Sequence, residues 1–211
     1  MRVQVQMTFD AADPEEGSAL VKSLLDAMAA RRPKAGPVRA VDTPAGLTHV
    51  YTDGGCDLRK GGIGAWAHII RFPDGSVEEG CGVMIGTTNN RMEMMAVIRA
   101  LERLEFGPPV KVVTDSEYVA KGVTVWSRNW VRNGWKTYDG KPVVNRDLWE
   151  PLLQLYQLHD CTFKVVKGHS GHAQNEYVDK MCTSAMINAH KAMLAGEDLD
   201  VDHGCVQRTA S

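Results

Sequence analysis

Four acidic side chains, each beside a recognisable secondary-structure signal, constrain the fold of this chain more than any other feature. They are Asp53, Glu93, Asp115 and Asp179. Asp53 and Asp115 follow short β-type runs, whereas Glu93 and Asp179 lie near the starts of two helical patterns. Ligands of open α/β sheets gather outside the carboxyl ends of the strands. The chain is therefore expected to bring these four distant side chains to one edge of a sheet.

Four carboxylates in one place repel one another strongly unless cations lie between them. Hard divalent cations prefer oxygen ligands, and two such ions together suit phosphodiester chemistry. Taken singly, an aspartate at the end of a strand is usually a turn or capping residue. Four acidic residues within four distinctive motifs favour a shared metal site instead.

The order of secondary-structure patterns predicts an α/β fold. Three strand patterns come first, and the turn signal Pro73-Asp74-Gly75 joins the second to the third. A helix is predicted from Asn89 or Asn90, and strands are predicted at residues 110–114 and 162–166. Strands followed by alternating helices and strands indicate a mixed sheet with helices on its faces.

Three segments differ in composition. Residues 1–46 contain an alternating strand pattern, one amphipathic helix and a linker rich in Pro and Gly, and this arm cannot bury a core alone. Residues 47–189 form the predicted main domain, and residues 190–211 form an acidic tail that we expect to be disordered. The arm is expected either to pack on the main domain of its own chain or to mediate self-association.

Composition excludes some classes of protein. No apolar run approaches the roughly 20 residues of a membrane helix, and the N-terminus alternates rather than forming the apolar block of a secretory signal. The five cysteines form no CxxC pair, which favours free thiols in a reducing cytoplasm. We therefore expect a cytoplasmic protein without a membrane partner.

A basic segment lies between residues 121 and 147, which contain six Lys or Arg residues and only two Asp residues. Such a patch on a protein with a net charge of −2 is a plausible footprint for a polyanion, although a solvated surface has the same composition. Trp126, Trp130 and Trp135 are interleaved with these cations, which suits contacts to sugars and phosphates. Trp126 is the one that we expect to belong to the core.

Five motifs in register carry a family resemblance. They are Tyr51–Cys56, Thr87–Glu93, Thr114–Ser116, Gly134–Thr137, and Val166–His172 continuing to Asn175, Glu176 and Asp179. Together they resemble type 1 ribonuclease H, which cuts the RNA strand of RNA–DNA hybrids, over about two thirds of the chain. The resemblance implies a ribonuclease H-like fold with a mixed five-stranded sheet, three antiparallel strands followed by parallel strands, and helices on both faces.

The resemblance also implies a two-metal mechanism. Asp53 would bridge two Mg²⁺ ions, with Mn²⁺ as a substitute, while Glu93 and Asp115 would complete the ligands of one ion and Asp179 those of the other. One ion would activate water and the other would stabilise the leaving oxygen, so that cleavage leaves 5′-phosphate and 3′-hydroxyl ends. His169 matches an accessory histidine that shuttles a proton or helps product release, although a loop histidine bonded to backbone is the alternative.

Substrate contacts follow from the same resemblance. Only RNA carries the 2′-hydroxyl, and the family reads it with positions that match Gly54, Cys56, Asn89, Asn90 and Glu93. Thr88 matches a position that contacts a DNA phosphate, although a helix cap is the alternative. Trp135 and Lys136 match positions that lie along the DNA strand, and Asn175 matches a further substrate contact.

Two departures from the family pattern stand out. The turn after Cys56 is short, so Arg59 and Lys60 are expected to supply phosphate contacts in place of an asparagine. Glu117 replaces a frequent glutamine, and its charge predicts weaker substrate binding.

The leading hypothesis is a monomeric endonuclease that acts on RNA–DNA hybrid duplexes. Two alternatives remain at this point: a ribonuclease H domain from a mobile-element or reverse transcriptase-like protein, and a hybrid-binding module that does not cut.

Overall fold

The computed structural model describes residues 46–58, 62–105, 108–168, 172–197 and 205–209. The chain divides between Thr43 and Pro44 into two units, and every described residue belongs to the second. The predicted N-terminal arm, apart from residue 46, lies outside the described residues. Among the helices that are described, none is long and apolar enough to cross a membrane.

Six strands and five α-helices make up the described unit. In chain order they are β1 (Thr48–Asp57), β2 (Ile63–Arg71), β3 (Val77–Met84), α1 (Asn89–Leu101), β4 (Val110–Thr114), α2 (Glu117–Lys121), a π-helical turn (Gly122–Trp126), α3 (Ser127–Arg132), α4 (Arg146–Leu158), β5 (Cys161–Val165), α5 (Ala173–Ala195) and β6 (Cys205–Thr209).

The sheet has the order β5-β4-β1-β2-β3-β6. Strands β1, β2 and β3 are antiparallel neighbours, whereas β4 and β5 run parallel to β1. A tight turn joins β2 to β3, where Gly75 has a φ of 86° and Asp74 accepts a hydrogen bond from the Ser76 backbone at 2.8 Å. Parallel strands need a longer crossover, which α1 provides before β4 and α4 before β5. The predicted mixed five-stranded sheet is confirmed, and β6 extends it.

Helices cover both faces of the sheet because strand side chains alternate. On one face, Trp66 and Ile70 of β2 join the core cluster that contains α1 and the fully buried Trp149 of α4. On the other face, Ala65, Ala67 and Ile69 of β2 pack against α5. Burying each large apolar side chain stabilises the fold by about 1.5–3 kcal/mol.

Two aromatic rings lie flat over glycines of β3. His68 is fully buried and stacks on Trp66 with ring centroids 5.7 Å apart. A Cβ atom at Gly80 would lie 2.6 Å from the imidazole, and one at Gly82 would lie 2.6 Å from the indole. Burial, and then the charge of Arg103, lower the pKa of His68 to about 4. The imidazole is therefore neutral in the folded protein near pH 7.

The C-terminal segment is more ordered than the sequence predicts. Disorder is expected from residue 190, but α5 continues to Ala195 and ends at Gly196 with a φ of 71°. Strand β6 then pairs antiparallel with β3, with Cys81 opposite Cys205 and Val77 opposite Thr209. The prediction of a disordered tail is wrong for these residues. An edge strand offers unpaired backbone groups to any short extended segment, so pairing there depends little on the acidic composition of the tail.

Candidate active site

Strand register brings Asp53 and Asp115 to the same end of the parallel strands. Asp115 directly follows β4, as the sequence predicts. Asp53, predicted to end its strand, lies inside β1, which continues to Asp57. The parallel pairing of β1 with β4 nevertheless stops at Tyr51, which is opposite Val113. Beyond Tyr51, β1 pairs with β2 alone, so Asp53 still lies at the carboxyl edge of the parallel strands.

A close approach between α1 and β1 positions Glu93. A Cβ atom at Gly54 would collide with the backbone of Met92 and Glu93. Glycine at this position therefore allows the helix to pack directly on the strand. Glu93 is the fifth residue of α1, so its carboxylate reaches the edge where Asp53 and Asp115 lie.

Three of the predicted carboxylates form one cluster. Carboxylate oxygens of Asp53, Glu93 and Asp115 all lie within 4.8 Å of one another. Asp179, the seventh residue of α5, is close enough for its charge to act on Asp53. The structure thus brings the four predicted acidic residues close enough for their charges to interact.

Burial and mutual repulsion disfavour the charged state of this cluster. Burial, and then the charges of Asp115 and Asp179, raise the pKa of Asp53 to about 6. Burial, and then the charges of Asp53 and Asp115, raise the pKa of Glu93 well above its usual range. A bound cation would reverse both effects because it stabilises the ionised carboxylates.

The donor set fits a hard divalent cation. One oxygen of Glu93, Oε2, and one oxygen of Asp115, Oδ1, are buried without a hydrogen-bond partner among the described residues. Buried oxygens normally have partners, so each such exception calls for an explanation. Carboxylate oxygens are preferred ligands of Mg²⁺ and Mn²⁺, and a cation would supply the missing partner.

The glycine-rich segment Gly54–Cys56, near the end of β1, is tied to the start of α1. The Cys56 backbone N–H donates to Asn89 Oδ1 at 2.6 Å, and the Cys56 thiol donates to the Thr87 carbonyl at 3.3 Å. Asn89 and Asn90 are both exposed at the first two positions of the helix. The Cys56 N–H is therefore engaged within the protein, whereas Asn90 faces solvent. Arg59 and Lys60 lie outside the described residues.

Thr88 is the N-cap of α1. Its hydroxyl accepts a hydrogen bond from the Arg91 backbone N–H at 3.4 Å, and its φ of −136° is extended. Thr88 therefore acts as a helix cap, which is the alternative given in the sequence analysis. The exposed end of a helix also attracts anions, so the cap leaves the predicted phosphate contact open.

The basic segment is built on an aromatic cluster. Trp126, Trp130 and Trp149 are linked by ring contacts of 5.8 and 5.2 Å. Trp135 has a φ of 60°, donates its backbone N–H to the Trp130 carbonyl at 2.7 Å, and lies under the Arg146 guanidinium. Trp135 is half-buried in this way.

All six cationic side chains of the segment are exposed around this framework. They are Lys121, Arg128, Arg132, Lys136, Lys141 and Arg146.

Of the two remaining predicted site residues, the structure describes only Asn175, because His169 lies outside the described residues. Asn175 is the third residue of α5 and is 3 % exposed, and its Oδ1 lacks a hydrogen-bond partner within the described part of the chain. Its burial argues against the predicted direct contact with substrate. The sequence pattern did not reveal this burial because Asn175 lies in a polar stretch.

The negative charge of Glu117 is compensated by a lysine on the same helix. It is exposed and accepts a hydrogen bond from Lys121 at 2.5 Å, which lowers the pKa of its carboxyl group. The pair spans i to i+4 on α2, so part of the predicted repulsion of phosphate is neutralised locally.

Two further residues that act on the site were missed by sequence reasoning. Arg91 makes a bidentate ion pair with Asp147, at 3.0 and 2.7 Å, which links α1 to the start of α4. Cys182 donates a hydrogen bond to the Ala65 carbonyl at 3.2 Å, and burial, followed by the charges of Asp53 and other nearby carboxylates, raises the pKa of its thiol. Its spacing of three residues from Asp179 was the available signal, since such residues share a helix face.

Comparison with known proteins agrees with these features. A sequence model of the RNase H family matches residues 46–187. A ribonuclease H of a Cyanothece species is 45% identical over 74% of this chain and 99% of its own length. A ribonuclease HI of Xylella fastidiosa is 49% identical over 63% of this chain and 87% of its own length.

Solved structures are similar as well. LC9-RNase H1, described as a type 1 RNase H with the type 2 active-site motif, aligns with a TM-score of 0.61 and 30% identity over 75% of this chain and 77% of its own. A foamy viral protease-reverse transcriptase in complex with an RNA/DNA hybrid aligns with a TM-score of 0.58 and 20% identity over 75% of this chain and 22% of its own. The second likeness concerns the fold alone.

Proposed function

The chain belongs to the RNase H family, whose members hydrolyse the RNA strand of RNA–DNA hybrids, and from this premise we propose that Asp53, Glu93, Asp115 and Asp179 hold the divalent cations of that reaction. The observation that carries the proposal is the cluster of three carboxylates within 4.8 Å, with a fourth acting on it electrostatically. Buried carboxylates in this number are stabilised when cations bind between them.

Mg²⁺ is the proposed ion, with Mn²⁺ as a substitute, since both accept all-oxygen sites. When bound, a pair of such ions supplies a nucleophilic water and stabilises charge on the leaving oxygen. The protein's own contribution is to hold the carboxylate ligands in position. Asp53 is the proposed bridge because two of the other acidic residues, Asp115 and Asp179, raise its pKa from different elements. Removing its charge would therefore weaken both metal positions.

The hybrid substrate is proposed to lie across the start of α1 and the basic segment. Asn89 orders the glycine-rich segment Gly54–Cys56 through Cys56, and Asn90 is exposed beside it for contact with the ribose. Gly54 allows the backbone to approach closely, and Thr88 is proposed to contact a DNA phosphate from its capping position.

Trp135 and Lys136 are proposed to follow the DNA strand. The Arg91–Asp147 ion pair supports this geometry because it ties the basic segment to the helix that bears Glu93. His169, which precedes α5 in the sequence, is proposed to act in proton transfer or product release.

The wider organisation is also proposed. Residues 47–189 are the proposed catalytic domain, and the protein is proposed to be a monomer. A cytoplasmic location is consistent with the free thiols of Cys56, Cys161 and Cys182.

The proposal is tested with end-labelled duplexes of one sequence as RNA–DNA, RNA–RNA and DNA–DNA. We expect Mg²⁺ to produce shorter RNA from the RNA–DNA duplex alone, with 5′-phosphate ends. The variants Asp53→Asn, Glu93→Gln, Asp115→Asn and Asp179→Asn should each lose cutting, whereas Asp160→Asn, an exposed control outside the basic segment, should retain it. Cutting at the parent rate by Asp53→Asn would overturn the bridging role. A shifted hybrid that stays intact in Mg²⁺ would instead favour the non-cutting module.

A further inference from the structure

Cys182 lies where the helix that bears Asp179 meets the strands. It is 1 % exposed and donates its thiol to the Ala65 carbonyl of β2 at 3.2 Å. Its sulfur is 3.7 Å from the point where a Cβ atom of Gly55 would lie. Cys182 follows Asp179 by three residues on α5, so both side chains lie on the same face of the helix. The thiol thus connects this helix face to β1 and β2.

Strand register places Asp53 beside the same thiol. Gly55 pairs with Ala65, and Asp53 pairs with Ala67, two residues further along β2. Residues two apart on a strand share a face, so Asp53 points to the side of the sheet that α5 covers. After burial, the charge of the Asp53 carboxylate raises the pKa of the Cys182 thiol, so the two groups are close neighbours.

We propose that Cys182 is a positioning residue of the metal site, whose thiol joins the Asp179-bearing helix to β2 beside Asp53. By holding this helix against the strand, it sets the separation between the carboxylates of Asp53 and Asp179. The inference rests on the proposed function, because it assumes that these two carboxylates hold cations.

A thiol meets the two requirements of this position, which are apolar packing and donation of a hydrogen bond. Buried cysteine packs as a small hydrophobic side chain, and Cys182 belongs to an apolar cluster with Ala65, Ala67, Ile69 and Val178. It also carries one proton to donate. A substitution can therefore separate packing from hydrogen bonding, because valine retains apolar volume and serine retains a donor.

The test compares Cys182→Val with Cys182→Ser. Titration calorimetry with MnCl2 and with MgCl2 in the absence of nucleic acid measures the Kd, and thermal denaturation in EDTA measures stability. We expect the valine variant to keep a Tm near that of the parent while its Kd for Mn²⁺ rises about fivefold, the equivalent of about one hydrogen bond. We expect the serine variant to have a lower Tm, because it buries a hydroxyl group, but a Kd near that of the parent.

Cys161 offers a matched control. It is a second buried cysteine, 8 % exposed, in β5 and in the other core cluster. Cys161→Val and Cys161→Ser should change Tm without changing the Kd for either metal. A change in Kd equal to that of the Cys182 variants would mean that general loosening of the core, and not the thiol, controls metal binding.

The outcomes separate this inference from the proposed function. If the parent binds metal and Asp53→Asn does not, but Cys182→Val binds as the parent does, the positioning role is overturned and the metal site stands. If the parent binds neither Mn²⁺ nor Mg²⁺, or Asp53→Asn binds them equally well, the proposed metal site itself fails. If only the serine variant loses affinity, packing is the function of Cys182 and the positioning role is also rejected.

Discussion

Asp53→Asn should stabilise the protein when no divalent cation is present. The pKa of Asp53 is raised from 3.8 to about 6, chiefly by burial and then by Asp115 and Asp179. A difference of about 2 units corresponds to about 3 kcal/mol of stability lost once the group ionises. Asparagine carries no charge and retains an oxygen that can accept from the Gly54 N–H. The substitution therefore removes most of this cost.

The direction of the pH dependence follows from the raised pKa. The folded protein holds the Asp53 proton more tightly than the unfolded chain does. Its contribution to stability is therefore fully present below about pH 4 and is lost as the pH rises through about 6. We expect Asp53→Asn to be about 2–3 kcal/mol more stable than the parent at pH 8 and equally stable near pH 4. For a domain of this size, the gain at pH 8 corresponds to a Tm increase of roughly 5–10 °C.

Urea denaturation followed by circular dichroism, in EDTA at pH 8 and at pH 4, measures this difference. The exposed Asp139→Asn variant controls for the general effect of the substitution. Excess MgCl2 should raise the stability of the parent and leave Asp53→Asn nearly unchanged. The reasoning is refuted if Asp53→Asn unfolds at the same or a lower urea concentration than the parent at pH 8 in EDTA.

Three other substitutions test other parts of the structure. The stability of the parent should fall as the pH falls from about 6.5 to about 4, because the buried imidazole of His68 resists protonation, and His68→Phe should remove most of this pH dependence. Urea midpoints measured across that range test the idea, which is wrong if the variant and the parent show the same slope. Gly54→Ala should displace Glu93 and reduce both Tm and cleavage, at a cost of about 1–3 kcal/mol, and a fully active variant would contradict the close packing. Lys136→Ala should weaken hybrid binding and reduce the slope of log Kd against log salt by about 1, and an unaltered slope would exclude a phosphate contact there.

The local motifs of the chain predict the fold well because each contains its own physical signal. Pro73-Asp74-Gly75 encodes the turn between β2 and β3, and the Thr88 hydroxyl encodes the start of α1. Neither depends on distant residues. The convergence of Asp53, Glu93 and Asp115 was predictable for a related reason, since topology rather than side-chain detail brings strand ends together.

Features that depend on neighbouring elements were not predictable from the same signals. Asp53 lies inside β1 rather than at its end because β2 continues to pair with β1 beyond β4. The burial of Asn175 depends on how α5 packs against the sheet, which its local sequence does not encode. The role of Cys182 likewise depends on strand register, because only the pairing of Gly55 with Ala65 brings the thiol near the carboxylates.

Strand β6 limits the ways in which two copies of the protein can join. By pairing with Val77–Cys81 it covers much of the backbone edge that β3 would otherwise present to solvent. An uncovered edge is a template on which a second molecule can add a strand. Removing residues 205–209 would therefore expose this edge of β3 and favour oligomers that form by extension of the sheet.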